Sequence, residues 1–268
     1  MSERSLLIED DNLSRAWVRA FAALAAPGVE SLAPLVLTVQ IPGDGSVSLV
    51  PAVGALVDAA LTLRGTPSSG TTANTIFPSF WNPDRPRSEL YERYHRMLPK
   101  LRKDRRNRYG IYFERLIAYG SDAAPRNQLE YIIRTYARGN HRRSALQASI
   151  LDPLRDETNQ RRREFPCLQQ VSFLPDRHAG LAITGYYPMQ YLVDRAYGNY
   201  LGLCRLGRFI AHEIGMPLTR MSCIAATARL GDKWTKAWAQ TQLTALRDSL
   251  TSAGCTLPAD ELTGGQAA

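Results

Sequence analysis

Apolar residues recur at helical spacing in the first quarter of the chain. Residues 12–26 (NLSRAWVRAFAALAA) repeat Ala, Trp and Phe on one side, with Asn12 or Ser14 available as the cap, and predict a helix. Residues 34–40 (PLVLTVQ) are short, branched and apolar, which predicts a strand, and PGDG at 42–45 reads as a turn. A second helix is predicted over 51–63, with Pro51 in its first turn, and RGTPSSGTTAN at 64–74 reads as a loop.

The middle of the chain is more polar. Residues 86–108 form a charge-dense helical segment ending in KLRKDRRNR. Glu89, Glu92 and Asp104 interrupt its positive charge and no aromatic stacking pattern accompanies it, so a solvated helix face is favoured over a nucleic-acid stripe. Residues 127–138 are amphipathic, with Leu129, Ile132, Ile133 and Tyr136 on one side. From 165 the period shortens. Residues 167–174 and 181–187 read as strands around the turn PDRHAG, a hairpin pattern. Residues 199–214 then predict a long helix, with Asn199 as a candidate cap and Gly215 as its stop. The last 20 or so residues are expected to fray. No repeat or linker interrupts the pattern, so one α/β domain over 1–268 is expected.

Composition changes this picture little. At 268 residues, 44% hydrophobic and 22% charged, the chain suits one globular domain with a sizeable core. No apolar run reaches membrane-span length, and MSERSLLIEDDNL has no signal-peptide pattern, so a cytoplasmic protein without a membrane partner is expected. Cys167, Cys204, Cys223 and Cys255 fit neither a zinc spacing nor a disulfide scaffold, so four thiols and no metal are expected. A net charge of +8 favours anionic partners, or is simply a basic surface.

Four segments then stand out in order: Arg108-Tyr109-Gly110 followed by an aromatic, Asn127-Gln128-Leu129, His141-Arg142-Arg143, and Phe165-Pro166-Cys167. They resemble the Tyr-Gly-x-Gln-Trp-Arg, Asp-Gln-Leu, Arg-Arg and Pro-Pro-Cys segments of the thymidylate synthase and pyrimidine hydroxymethylase superfamily. Residues 181–214 lie without a gap on the family segment running from the strand after the nucleophile into the central helix, with Gly198-Asn199 on the Phe-Asn of its Gly-x-Pro-Phe-Asn signature. The resemblance covers roughly 109–215 and fades over the first hundred residues. It implies a thymidylate synthase-like α/β (α+β) fold with a large mixed sheet flanked by helices, and a homodimer. It also implies 5,10-methylenetetrahydrofolate as a cofactor.

The chemistry that the resemblance implies is covalent. A thiolate, here Cys167, adds to an electron-poor carbon of a conjugated ring and makes the neighbouring carbon nucleophilic toward a one-carbon electrophile. Nearby arginines would favour the thiolate. The family's arginine pair, here Arg142 and Arg143, reaches across the dimer to the nucleotide phosphate, a role that suits bidentate, permanently charged groups. The family asparagine, here Asn199, reads the pyrimidine edge, and Tyr109 and Tyr191 complete the expected substrate-binding set. The plainer readings are an inert buried Cys167, surface arginines and an Asn199 that only caps a helix. Cys204 and Cys223 read as core, His178 as exposed and His212 as packed.

Departures from the family are as informative. Its Gln-Arg-Ser, whose arginine binds phosphate, reads Tyr187-Pro188-Met189 here. Its folate-side aspartate falls on Tyr191, its Leu-Gly-x-Pro run reads Asp194-Arg195-Ala196-Tyr197, and the histidine beside its nucleophile is Leu168. Its His-x-Tyr pair has no match near 225–231, its proton-relaying glutamate is missing with Asp58 the nearest candidate, and its apolar C-terminal tail is absent. Tyr186, Tyr187, Tyr191 and Tyr197 are new aromatics in the same stretch. The expectation is an enzyme of one-carbon transfer, hydroxymethylation or methylation, on a pyrimidine-like or other conjugated small molecule in a specialised biosynthetic pathway, and not ordinary deoxyuridylate methylation. The alternatives are a folate-independent thiol enzyme on the same fold and an inactive protein that binds nucleotide or RNA.

Overall fold

The structure, a computed structural model, describes residues 2–120, 124–159, 165–176 and 178–258. Strand β1 (Ser2–Asp10) was not legible in the sequence because it is an edge strand. Ile8 and Asp10 turn inward while Leu7 is left 67% exposed, so no clean alternation marks it. Helix α1 (Leu13–Ala25) follows, capped as expected by Asn12, whose side-chain oxygen accepts the Arg15 N–H at 3.1 Å. It crosses to β2 (Val29–Gln40), which runs parallel to β1. The expected strand 34–40 is the buried half of β2; outward-facing Glu30 and Pro34 hide the rest.

Helix α2 (Pro51–Leu63) begins at Pro51 as predicted. The stretch read as a loop, 64–74, holds most of α3 (Ser69–Ile76), capped by the Ser68 hydroxyl. Its Ser, Thr and Gly residues carry little intrinsic helix preference. Tertiary packing supplies the stabilisation instead, because α3 lies on α8 (Tyr197–Glu213) at two glycines. A Cβ on Gly198 would stand 2.5 Å from the Ser69 carbonyl oxygen, and one on Gly202 would stand 2.8 Å from Ile76.

The charged segment ends earlier than its pattern suggested. Helix α4 (Arg87–Leu101) has Pro99 in its last turn and is followed by a separate 3-10 turn over Arg105–Asn107. Then come α5 (Tyr112–Ile117), α6 (Gln128–Ala137) capped by Asn127, β3 (Gln147–Ser149) and α7 (Pro153–Asp156). The hairpin holds as β4 (Gln170–Asp176) and β5 (Gly180–Tyr191), antiparallel in register from Gln170 opposite Tyr186. A π-helical turn over Leu192–Ala196 leads into α8, so Asn199 is its third residue and not its cap. Gly215, at φ +70°, ends it as expected. Strand β6 (Leu218–Arg229) and helix α9 (Lys236–Ser252) complete the chain and were not anticipated. Of the last 20 or so residues, expected to fray, 249–252 close α9 and Leu250 and Leu257 are buried, while those from 259 lie outside the described residues.

The six strands form one mixed sheet in the order β1-β2-β6-β5-β4-β3. Two parallel pairs, β1 with β2 and β5 with β6, are each joined by a crossover helix, α1 and α8. The buried rows Leu35–Ala225–Tyr187, Leu37–Cys223–Gly185 and Val39–Met221–Ile183 all point toward these helices. On the other face, Val36, Thr184, Ser222 and Ile224 are half-buried and Tyr186 is exposed. Helix α9 docks on α1 through Trp238 against Phe21, and through the Lys236 ammonium, which donates to the carbonyls of Leu24 and Val29. Among the described residues, no helix is long and apolar enough to cross a membrane.

Candidate functional site

Cys167 lies in an extended approach three residues before β4, and it is exposed. Two aromatic contacts fix that approach. The Phe165 ring packs on Tyr112 at 5.1 Å between centroids, and the Arg115 guanidinium lies over its other neighbourhood at 5.3 Å. Arg115 is itself buried and held by Asp156 at 2.9 Å. Gly110 is required here twice over: its φ is +132°, and a Cβ would stand 2.9 Å from the Phe165 ring. Gln128, at the start of α6, ties this unit to the sheet edge. Its amide donates to the carbonyls of Arg115 and Ser149, and its oxygen accepts the Ser149 N–H. The segments around Gly110, Gln128 and Phe165, apart in sequence, are therefore one packed unit carrying Cys167.

The Tyr112 hydroxyl accepts the backbone N–H of Cys167 at 3.3 Å and that of Leu168 at 3.5 Å. Its pKa is raised, first by burial and then by the neighbouring Cys167, with Arg195 acting in the opposite sense. Tyr112 stays a phenol at neutral pH with its own proton free to donate. The sequence showed only an aromatic at this position; the hydroxyl's role depends on the turn that brings α5 under the Cys167 loop.

Two further polar groups line this side of the sheet without protein partners. Tyr187 is 0% exposed, and its hydroxyl makes no hydrogen bond among the described residues. Burial pushes its pKa well up, followed by the influence of Cys223, Tyr112 and Cys167. Asn199 is 4% exposed, and its amide is likewise unpartnered among the described residues. Its place follows from α8 packing: Leu203, one turn further on, fills the space above Gly185 together with Leu168.

The remaining candidates are distributed. Tyr191, at the end of β5, is half-buried and donates its hydroxyl to Asp232 at 3.1 Å; its pKa is raised mainly by burial, with Cys167 among the contributors. Tyr109 packs on the core with the Arg108 guanidinium 4.6 Å over its ring. Arg142 is exposed and lies with Arg143 in the turn before β3; the side chain of Arg143 lies outside the described residues. That turn is at the far end of β4, where His141 lines a depression with Pro175, Asp176 and His178. Five residues of strand separate the two ends of β4, ~17 Å, so within one chain Arg142 does not reach Cys167. Arg161, Arg162 and Arg163, the charges expected beside Cys167, lie outside the described residues.

Several expectations need correction. The four new tyrosines do not gather: Tyr186 points to the opposite sheet face, and Tyr197 bonds the Ser14 hydroxyl at 2.8 Å under α1. His212 is exposed beside Trp81 and not packed. Cys255 is half-buried and accepts from the Asn12 amide. Cys204 and Cys223 are core as expected, and burial pushes each up to about 12. Asp58 is engaged at the start of α3, accepting the Ser69 N–H at 2.7 Å. A second depression, lined by Arg85, Arg87, Tyr91, Glu130, Arg134 and Glu213, is held shut at its base by Arg87 bonding Glu130 and Glu213 and includes none of the candidates. Among the described residues, no group of three or more His, Cys, Asp or Glu is placed to hold a metal.

What the arrangement can do chemically is clear from its parts: an accessible thiol, a phenol beneath its backbone, and two buried polar groups, Tyr187 and Asn199, without hydrogen-bond partners among the described residues. No protein-family model matches the chain, and no curated protein matches it.

Proposed function

We propose that this chain is a diverged thymidylate synthase-like enzyme that activates a flat, conjugated, pyrimidine-like substrate through Cys167. One observation carries the reading: the exposed Cys167, its backbone N–H bonded to the Tyr112 hydroxyl, lies close enough to influence the Tyr187 hydroxyl, which is fully buried and has no hydrogen-bond partner among the described residues. Such groups cost roughly 1–3 kcal/mol each when left without a hydrogen bond, a cost that a bound heterocycle would offset. The packing of Gly110, Gln128 and Phe165 into one unit adds support, since three of the resembling segments meet there.

The step is an addition followed by elimination. The Cys167 thiolate forms a bond to the electron-poor ring carbon, and the electron pair moves through the conjugated system onto a carbonyl oxygen. Tyr187 and Asn199 stabilise that oxygen by donating hydrogen bonds that strengthen as its charge develops. The adjacent carbon takes a proton or another electrophile, loses its original proton, and expulsion of the thiolate restores the ring. With a proton as the electrophile the net result is hydrogen exchange at that carbon.

One-carbon transfer is the fuller form of the proposal. A folate would supply the one-carbon unit, but the residues at its expected positions do not fit it: Asp58 is committed to the Ser69 N–H and the Tyr191 hydroxyl to Asp232. No step is routed through a folate here. The reading extends to a homodimer joined through the open sheet face, with Arg142 and Arg143 serving the partner's cleft, because Arg142 lies too far from Cys167 to serve its own.

The test is tritium release from 5-tritiated pyrimidines, nucleosides and nucleotides, with native mass spectrometry for the covalent adduct, with and without methylenetetrahydrofolate. Exchange and an adduct that both vanish in Cys167→Ser support the reading. Exchange that survives in Cys167→Ser, or no adduct with any substrate of the panel, sinks it. Sedimentation at the 29.8 kDa chain mass, and not at twice that value, would remove the shared cleft.

A further inference from the structure

The positive charge of this protein is concentrated in one short stretch. Residues 93–108 carry eight of the 33 lysines and arginines and one of the 25 acidic residues, so seven of the eight net charges lie there. Two of these cations are paired, Arg106 with Asp104 at 2.6 Å and Arg102 with the buried Glu114. The other six, Arg93, Arg96, Lys100, Lys103, Arg105 and Arg108, are exposed and make no ion pair among the described residues. Glu89 and Glu92 stand one helical turn before Arg93 and Arg96, yet neither pairs with them. Like charges this close repel one another, and the fold leaves them uncompensated.

The fold also gathers these cations onto one surface. Arg93, Arg96 and Lys100 recur at helical spacing on the side of α4 away from the buried Leu90 and Tyr94. Helix α4 stops at Leu101, and the chain folds back on its end. The Lys103 and Asp104 N–H groups donate to the carbonyls of Lys100 and Leu101, and the Asn107 amide donates to that of Leu101 at 3.0 Å. Lys103, Arg105 and Arg108 therefore stay beside the α4 stripe. Each end of the stretch has an arginine on a ring: Arg93 lies over Phe80 at 4.3 Å and Arg108 over Tyr109 at 4.6 Å. The charge run has no aromatic stacking pattern of its own; Phe80 comes from the loop ahead of α4.

We propose that this surface binds single-stranded nucleic acid, with phosphates on the unpaired cations and bases stacked on the Arg93 and Arg108 guanidinium planes. Arginine takes phosphate oxygens in pairs and offers a flat face to a base. Bases are free to stack on side chains only outside a duplex, which selects single strands. An anionic bilayer fits less well, because Met97 is the one large apolar side chain exposed in the stretch and an interfacial site inserts several. Binding here does not depend on the chemistry of Cys167.

The experiment is fluorescence anisotropy of labelled, mixed-sequence RNA and DNA single strands of about 12 nucleotides with the full-length protein. A Kd of roughly 10 µM is expected at about 0.1 M salt, with log Kd rising by about 4 per decade of salt, the slope of six phosphate contacts to a single strand. Replacing Arg96, Lys100 and Lys103 together by Gln should weaken binding about 100-fold and lower the slope by about 2. Arg93→Lys keeps the charge and loses the plane, so it should weaken binding several-fold with the slope unchanged, which a purely electrostatic attraction would not do. An unchanged thermal midpoint shows that the variants are folded. Binding of either strand type upholds the site, and the preference between RNA and DNA assigns its source. No anisotropy change up to about 100 µM protein, a Kd untouched by the triple replacement or by Arg93→Lys, or tighter binding to duplex or to phosphatidylserine vesicles overturns it.

Discussion

Cys223 and Cys167 lie on neighbouring parts of one sheet, and the fold treats them in opposite ways. Cys223 sits mid-strand on β6 in the row Leu37–Cys223–Gly185, is 1% exposed, and accepts from the Gln190 amide at 3.6 Å. Cys167 sits outside the strand, exposed, with its backbone held from below by Tyr112. Around Cys223 the layers close because glycines let helix and sheet approach, as at Gly185 and Gly207. Cys167 is exposed instead, and the nearby Tyr187 hydroxyl has no hydrogen-bond partner among the described residues. Thiol chemistry in this protein is thus decided by packing, since burial penalises the thiolate and exposure permits it.

The largest effect that would break this contrast is catalytic. Cys167→Ser should lower hydrogen exchange by about 10³-fold or more, as loss of a covalent nucleophile does, while leaving the unfolding midpoint within ~0.5 kcal/mol of the parent. Exchange retained in Cys167→Ser would place both cysteines in the structural class.

The sealed side should show itself in alkaline solution. Cys204 and Cys223 are pushed up to about 12 from an ordinary value of 9.0, and Tyr187 and Tyr200 are also raised by burial. Unfolding lets these groups ionise at their ordinary pH, so the unfolded chain binds fewer protons between pH 9 and 12. Stability is complete below pH 9 and falls through that window by on the order of a few kcal/mol. Denaturant titrations at pH 8 and 10.5 measure it; a flat profile would mean that the core is wetter than its packing implies.

Gly198→Ala should cost about 3 kcal/mol, because the new methyl meets the Ser69 carbonyl and Thr72, backbone and a branched side chain that cannot swing away. Chemical denaturation reads this directly, and a cost below ~1 kcal/mol would show that α3 floats on α8. Cys223→Ser should cost about 2 kcal/mol by burying a hydroxyl in an apolar row, against almost nothing for the same change at Cys167. Equal costs at the two positions would erase the contrast.

The smallest effect is the sharpest. Tyr187→Phe removes an unpartnered buried hydroxyl, so the protein should gain about 1 kcal/mol of stability while losing exchange activity. A variant that is destabilised instead would show that the hydroxyl is satisfied within the protein and is not reserved for a substrate.

Much of the architecture was legible in the chain because it rests on local pattern. Asn12 caps where its position predicted, Pro51 opens its helix, Gly215 closes another, and the hairpin around residues 175–180 pairs in register. The edge strand β1 and helix α3 were not legible. One lacks alternation because an edge strand buries little; the other is helical only because Gly198 and Gly202 let it press on α8. In the site, the core placement of Cys204 and Cys223 follows from sequence, whereas the exposure of Cys167 and the place of Tyr112 do not. Tyr112 is brought to Cys167 across 55 positions of sequence, a distance over which no periodicity carries information.

The sequence by itself determined the secondary-structure grammar, the single mixed α/β pattern and the thiol around which the candidate site is built, because caps, turns and apolar periods act within a few residues. Only the tertiary structure decided which polar groups were left without partners, that Asn199 is buried inside α8 and not capping it, and that Arg142 lies at the opposite end of β4 from Cys167. Hydrogen-bond satisfaction and desolvation depend on every neighbour in space, and those neighbours are chosen by packing.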